Sequence, residues 1–182
     1  FGVPDDSLSR LISKIPNPIF SAIGCEVGAS AVATFLTSSD ILIPRYRGFA
    51  ALLGKGMSAE KIVSEFLRKR TGGSKGIGDI AGFRDPEHGI PGYSANLGAM
   101  FSVAVGIALA KNLTNDRENI VAIFFGDGEA SRNTFAGALN LAILWKLPIL
   151  FVCENNKACI SMDFEHMFAV PSIANIASGY SM

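Results

Sequence analysis

Apolar and polar positions divide the chain into short strand-like runs that alternate with helix-like stretches. Residues 120–125 and 147–153 are apolar runs with the length and composition of strands. Between them Phe135, Leu139, Ala142, Ile143 and Leu144 recur at helical spacing. Strand, helix and strand of these lengths predict a right-handed crossover in a parallel sheet, so both strand ends open on one edge, where such sheets bind ligands. Upstream, residues 22–36 mix small and apolar side chains at helical spacing, and Ser38-Ser39-Asp40 ends that helix. Ile41-Leu42-Ile43 reads as a short strand closed by Pro44. Ser58 is placed to cap an amphipathic helix running through Arg70, with Ile62, Val63, Phe66 and Leu67 as its apolar face. Residues 98–111 form a small-residue helix able to pack closely on a sheet, and residues 112–118 a polar turn. The pattern predicts an α/β fold: a mostly parallel sheet with helices on both faces.

Between Thr71 and Gly98 glycine is dense and periodicity disappears. A loop this long inside a compact domain is usually functional or mobile. Gly76-Ile77-Gly78 with Gly82 does not make a dinucleotide fingerprint, because no strand precedes it and the last spacing is wrong. Lys75-Gly76 is not followed by Ser or Thr, which excludes a Walker loop.

The 182 residues are one domain's worth, 49% of them are hydrophobic, and formal charge balances at zero. That balance gives no reason to expect nucleic acid or an anionic membrane surface as partner. The apolar runs are too short to span a bilayer. No charged-then-apolar signal segment follows Phe1, and the natural start is expected to lie upstream. Cys25, Cys153 and Cys159 are odd in number and form no Cys-x-x-Cys pair, so they read as reduced thiols of a cytoplasmic protein, with Cys153 in the core.

Candidate chemistry sits at the two strand ends. Gly126-Asp127-Gly128 follows the first run, and Asn155-Asn156 the second, about thirty residues later. Asp127 and the Asn156 amide oxygen are hard donors of the kind Mg²⁺ takes, with substrate phosphates completing its octahedron. Gly126 and Gly128 let backbone approach closely and offer amides to phosphate oxygens beside a helix start. Alone, Gly-Asp-Gly reads more readily as a plain turn; two such groups, each after a strand, reverse that preference in favour of a metal–diphosphate site.

The stretch from Gly126 to Ser161 resembles the thiamine diphosphate motif. Ala138-Leu139-Asn140, Trp145-Lys146-Leu147-Pro148 and Cys153-Glu154-Asn155-Asn156 resemble its wording in one branch: the alpha subunit of the first component of 2-oxo acid and acetoin dehydrogenase complexes. Tyr46-Arg47-Gly48, the loop from Thr71 to Gly78, Leu97-Gly98-Ala99 with residues 105–110, and Pro171-Ser172-Ile173-Ala174 with Gly179-Tyr180 continue the likeness in order, from about Ser21 to Met182. The resemblance implies a single diphosphate-binding domain over residues 1–182, incomplete at its C-terminus, with residues 71–98 as a lid over the cofactor. It implies thiamine diphosphate and Mg²⁺ as cofactors. Asp127, Asn156 and the Ala158 carbonyl become metal ligands, Tyr46 and Arg47 grip the diphosphate, Leu97 meets the aminopyrimidine, and Gly126, Gly128 and Glu129 lie against the diphosphate. The glutamate that activates the cofactor then comes from a beta-type subunit in an α2β2 assembly, and Glu154 is a structural residue at a strand end.

Three positions depart from the family's wording. Phe49 and Gly82 stand where the family has histidines, the first in the pocket, and Gly137 stands where it has a glutamate. His88 and His166 are the remaining imidazoles, both in loop-like wording. Three readings follow. The first is a two-subunit enzyme that cleaves the bond beside a ketone, as in 2-oxo acid decarboxylation, and passes the acyl unit to a lipoyl domain or acyl carrier protein. The second is transketolase-like transfer of a two-carbon ketol or glycolyl unit from a sugar phosphate. The third is a non-catalytic subunit that stabilises its partner.

Overall fold

A computed structural model describes residues 20–78 and 83–182. Three strands, β1 (Ile41–Ile43), β2 (Val121–Gly126) and β3 (Ile149–Glu154), form a parallel sheet in that order. The middle strand is buried throughout, and its side chains divide by parity. Val121, Ile123 and Phe125 enter one core with Ile43, while Ala122 and Phe124 enter a second core with Leu42. This is the period of two of a strand covered on both faces.

Helices α1 (Glu26–Thr34), α2 (Phe49–Gly54) and α3 (Ala59–Phe66) supply the second core, and α1 packs on α2. On the opposite face α4 (Ala99–Leu113) packs on the sheet and on a later helix, α6 (Asn133–Leu144). There Phe101, Phe125 and Phe135 meet with ring centroids 5.1–5.2 Å apart. A single helical turn, α5 (Asp127–Ala130), leaves the end of β2 directly. A two-stranded antiparallel hairpin, β4 (Ala158–Cys159) and β5 (Met162–Asp163), follows β3, and short helices α7 (Phe164–Met167) and α8 (Ile173–Ser178) close the chain. Among the described residues no helix is long and apolar enough to cross a membrane.

Asp40 joins the first helical layer to the sheet. Its buried carboxylate accepts the Thr37 N–H at 2.7 Å, the Thr37 hydroxyl at 2.9 Å and the Ile120 N–H at 2.7 Å. Lys55 is also buried and donates to the Thr37 carbonyl.

Helix α3 is capped as expected, Ser58 Oγ accepting the Lys61 N–H at 3.2 Å, but it stops at Phe66 and not at Arg70. The cause is local: Arg68 takes a left-handed φ of 52°, and the Lys69 N–H turns back to the Ser64 carbonyl at 2.8 Å. Of the expected apolar face, Val63 is exposed. Ile143 and Leu144, counted in the helical apolar pattern, lie on the outer side of α6. In both helices apolar residues extend beyond the width of the buried stripe.

Residues 71–78 wrap a carboxylate. Glu65, on α3, is fully buried, and it accepts the Ser74 N–H at 2.8 Å, the Gly76 N–H at 3.2 Å and the Gly78 N–H at 3.0 Å. Gly72 lies against Glu65 itself, and Gly76, at φ +76°, lies against the backbone of Arg68, so a side chain at either position collides. The amides that a phosphate loop would present to a ligand are thus engaged internally. The stretch carrying Gly82, where the resemblance expects a histidine, lies outside the described residues.

Candidate active site

The parallel register brings Gly126 opposite Glu154, so the turns after β2 and β3 emerge side by side, next to the segment that follows β1. A cleft of about 70 Å³ opens there. Every predicted site residue lines it: Tyr46, Arg47, Leu97, Gly126, Asp127, Gly128, Glu129, Asn156 and Ala158, joined by Arg45, Cys159 and Ile160. Pockets that engulf a drug-sized ligand measure roughly 300–1,000 Å³. This one has room for one end of such a molecule.

Asp127 is the first residue of α5 and only 1% exposed. Burial pushes its carboxyl above the ordinary carboxylate range, against the amides of Gly128, Asp127 and Ala158 and the charge of Arg45, which pull it down. Its Oδ2 is buried and without a hydrogen-bond partner. A buried carboxylate oxygen left this way costs free energy unless a cation faces it. Asn156 is exposed at the mouth, where its Oδ1 accepts the Ala158 N–H at 3.3 Å, and its second lone pair can serve a metal. Among the described residues no cluster of three or more His, Cys, Asp or Glu could hold a metal. A cation here therefore depends on one carboxylate, one amide oxygen and backbone carbonyls, a hard-oxygen set.

The two glycines have a second reason for being glycine. A Cβ at Gly128 would strike the Cys159 sulfur, and one at Gly126 would lie 2.9 Å from Arg45 Nη2. Both make room for side chains of this chain as well as for a ligand.

Tyr46 and Arg47 form the opposite wall. The Tyr46 ring lies 4.9 Å from Phe20 and 6.2 Å from Tyr93, the Arg47 guanidinium sits 5.2 Å over Tyr46, and its Nη1 donates to the Ser21 carbonyl at 2.7 Å. Glu129 reaches inward: its buried carboxyl accepts the Tyr93 hydroxyl at 3.3 Å. Burial raises that carboxyl, opposed by the backbone of Gly126, by Arg45 and by Tyr93. Its part is to shape the wall. Glu154, at the end of β3, pairs with Arg45 at 3.2 Å, as befits a structural residue.

Other candidates fall elsewhere. Phe49 does not line the cleft; it closes an aromatic trio with Phe66 and Phe83 at 5.4–5.5 Å, because the first turn of α2 points it into the second core. His88 pairs with the buried Asp85 at 3.0 Å, Lys61 holds the same carboxylate at 2.8 Å, and neither belongs to the cleft. His166 is exposed on α7, and Gly137 is exposed on α6 with nothing within 4 Å of a Cβ. Cys153 is partly buried beside the first core, and burial pushes its thiol up to about 12. Arg45 and Cys159 were missed by sequence reasoning; the Pro-Arg-Tyr-Arg wording of residues 44–47 was the available signal for Arg45.

The sequence profile of the family described as dehydrogenase E1 component matches residues 13–182. The chain belongs to that family. It is 32% identical over 180 residues to the alpha subunit of acetoin:2,6-dichlorophenolindophenol oxidoreductase of Bacillus subtilis, covering 98% of this chain and 54% of that protein. It is 35% identical over 173 residues to the chloroplastic pyruvate dehydrogenase E1 component subunit alpha-3 of Arabidopsis thaliana, covering 90% of this chain and 40% of that one. A Cupriavidus necator acetoin:2,6-dichlorophenolindophenol oxidoreductase alpha subunit is 30% identical over 168 residues, covering 92% and 50%. This E1-family chain thus spans about half the length of the curated relatives it matches.

Proposed function

We propose that the chain forms the metal–diphosphate half of a thiamine diphosphate-dependent enzyme that cleaves the carbon–carbon bond beside a ketone, in the manner of 2-oxo acid decarboxylation, and passes the acyl unit to a carrier thiol on a lipoyl domain or carrier protein. The observation that carries this reading is Asp127 Oδ2, buried and partnerless at the edge of a parallel sheet, in one cleft with Asn156 and Arg47. Mg²⁺ suits that donor set. In this reading Asp127, Asn156 and the Ala158 carbonyl hold the metal, while Arg47, beside Tyr46, offers a planar fork to diphosphate oxygens. When bound, thiamine diphosphate supplies the carbanion chemistry; the chain's residues bind and orient it.

A beta-type subunit completes the site in this proposal. In its favour, Val27 on α1 and Ile23 and Phe35 just beyond its two ends are 81%, 86% and 88% exposed, apolar surface of the kind that partner subunits cover. Calorimetric titration of the full-length protein with thiamine diphosphate, with and without Mg²⁺ and a beta-type partner, tests the proposal. Metal-dependent binding is expected, and its absence both with and without the partner overturns the reading.

A further inference from the structure

Arg45 lines the cleft, and the reading above gives it no part in holding metal or diphosphate. It is 3% exposed. Leaving the end of β1, its side chain passes the end of the middle strand, where Gly126 has no side chain to block it, and reaches the end of β3. There Nη1 lies 3.2 Å from the Glu154 carboxylate and 3.3 Å from the Glu154 carbonyl. One side chain therefore passes over the end of β2 and bonds the segment after β1 to the end of β3. The segments it runs between carry Tyr46-Arg47, Asp127 and Asn156, which line the cleft. It is also the buried cation facing Asp127, Glu129 and Glu154.

We infer that Arg45 is a positioning residue: through Glu154 it sets the spacing between the Tyr46-Arg47 wall and the Asp127 and Asn156 metal donors, and so determines affinity for a metal–diphosphate ligand without touching it. The inference rests on the reading of the cleft proposed above.

The test uses the full-length protein, with any co-purifying partner subunit, and the variants R45M, E154Q and R45M/E154Q. Binding of thiamine diphosphate with Mg²⁺ is measured by calorimetry, and turnover at saturating cofactor by rate. R45M and E154Q should each weaken binding by roughly tenfold to hundredfold, as loss of a group supporting metal ligands does. The double variant should bind no worse than the weaker single one, since both remove the same ion pair. Turnover once cofactor saturates should stay within about threefold, because the effect lies in ground-state binding. Wild-type affinity in R45M overturns the inference. So does weakened binding in R45M with full affinity in E154Q, which would make Arg45 a direct anion ligand. Should the wild-type protein bind no thiamine diphosphate, the functional proposal fails separately, and Arg45 is then judged without ligand by amide hydrogen exchange. The positioning role requires faster exchange in residues 45–47 and 126–128 of R45M; unchanged exchange overturns it.

Discussion

Asp127→Asn should stabilise the ligand-free protein while removing its response to metal and cofactor. Asp127 Oδ2 is buried without a partner, and burial raises its carboxyl. An unsatisfied buried polar group costs about 1–3 kcal/mol, more when charged. Asparagine keeps an oxygen to accept the amides of Gly128 and Ala158 and removes the charge, but it leaves an unpaired NH₂ in place of Oδ2. The net gain is about 1 kcal/mol, or about 2–4 °C in melting temperature for a chain of this size. A ligand at about a hundred times its Kd stabilises by about 2.7 kcal/mol, a shift of about 5–10 °C. Calorimetric melting with and without Mg²⁺ and thiamine diphosphate reads both effects: D127N should melt higher than wild type alone and lower with ligand. The gap without ligand has a pH sign. A carboxyl raised on folding binds its proton more tightly in the folded state, so its cost is absent at low pH and develops as pH rises from about 4 through the folded value. D127N should therefore lose its advantage in acid. A D127N variant that melts below wild type without ligand at neutral pH, or that keeps the full ligand shift, would refute this account of Asp127.

Two further outcomes follow from the fold. Asp40→Ala removes the acceptor of three short hydrogen bonds from Thr37 and Ile120 and should cost about 3 kcal/mol, measured by urea unfolding. Burial raises the Asp40 carboxyl, yet those bonds and Lys55 outweigh it and hold the group below its ordinary value, so its contribution is present above about pH 4 and lost as pH falls through the depressed value; below pH 4 wild type should lose stability more steeply than D40N. Phe49→His should lower stability by about 1–3 kcal/mol through loss of the Phe66 and Phe83 contacts and leave thiamine diphosphate affinity unchanged; a gain in affinity would return position 49 to the pocket.

Much of the scaffold was legible because its signals are local. Ile41, Leu42 and Ile43 stand between Asp40 and Pro44, so both ends of β1 are marked in the sequence. The small-residue run after Gly98 became α4, and the apolar run before Gly126-Asp127 became the buried central strand. Illegible were features decided by distance. Arg45 reads as a surface residue until the register sets Glu154 beside Gly126 and gives its charge a partner 109 positions away. Phe49 reads as a pocket substitution by alignment of wording, yet its direction depends on where Phe66 and Phe83 pack. Val63, Ile143 and Leu144 read as core because hydrophobic periodicity does not separate a side chain that meets this chain's sheet from one left outside it.

Glu65 gives residues 72–78 a conformation that owes nothing to a ligand. Fixing a residue's backbone costs about 1–2 kcal/mol of conformational entropy, and here that loss accompanies folding of the chain, with Ser74, Gly76 and Gly78 already saturated. Ligand arrival consequently meets a preorganised segment. The same saturation makes the loop indifferent to stray phosphate and sulfate, since any anion seeking those amides must first displace a carboxylate covalently anchored beside them.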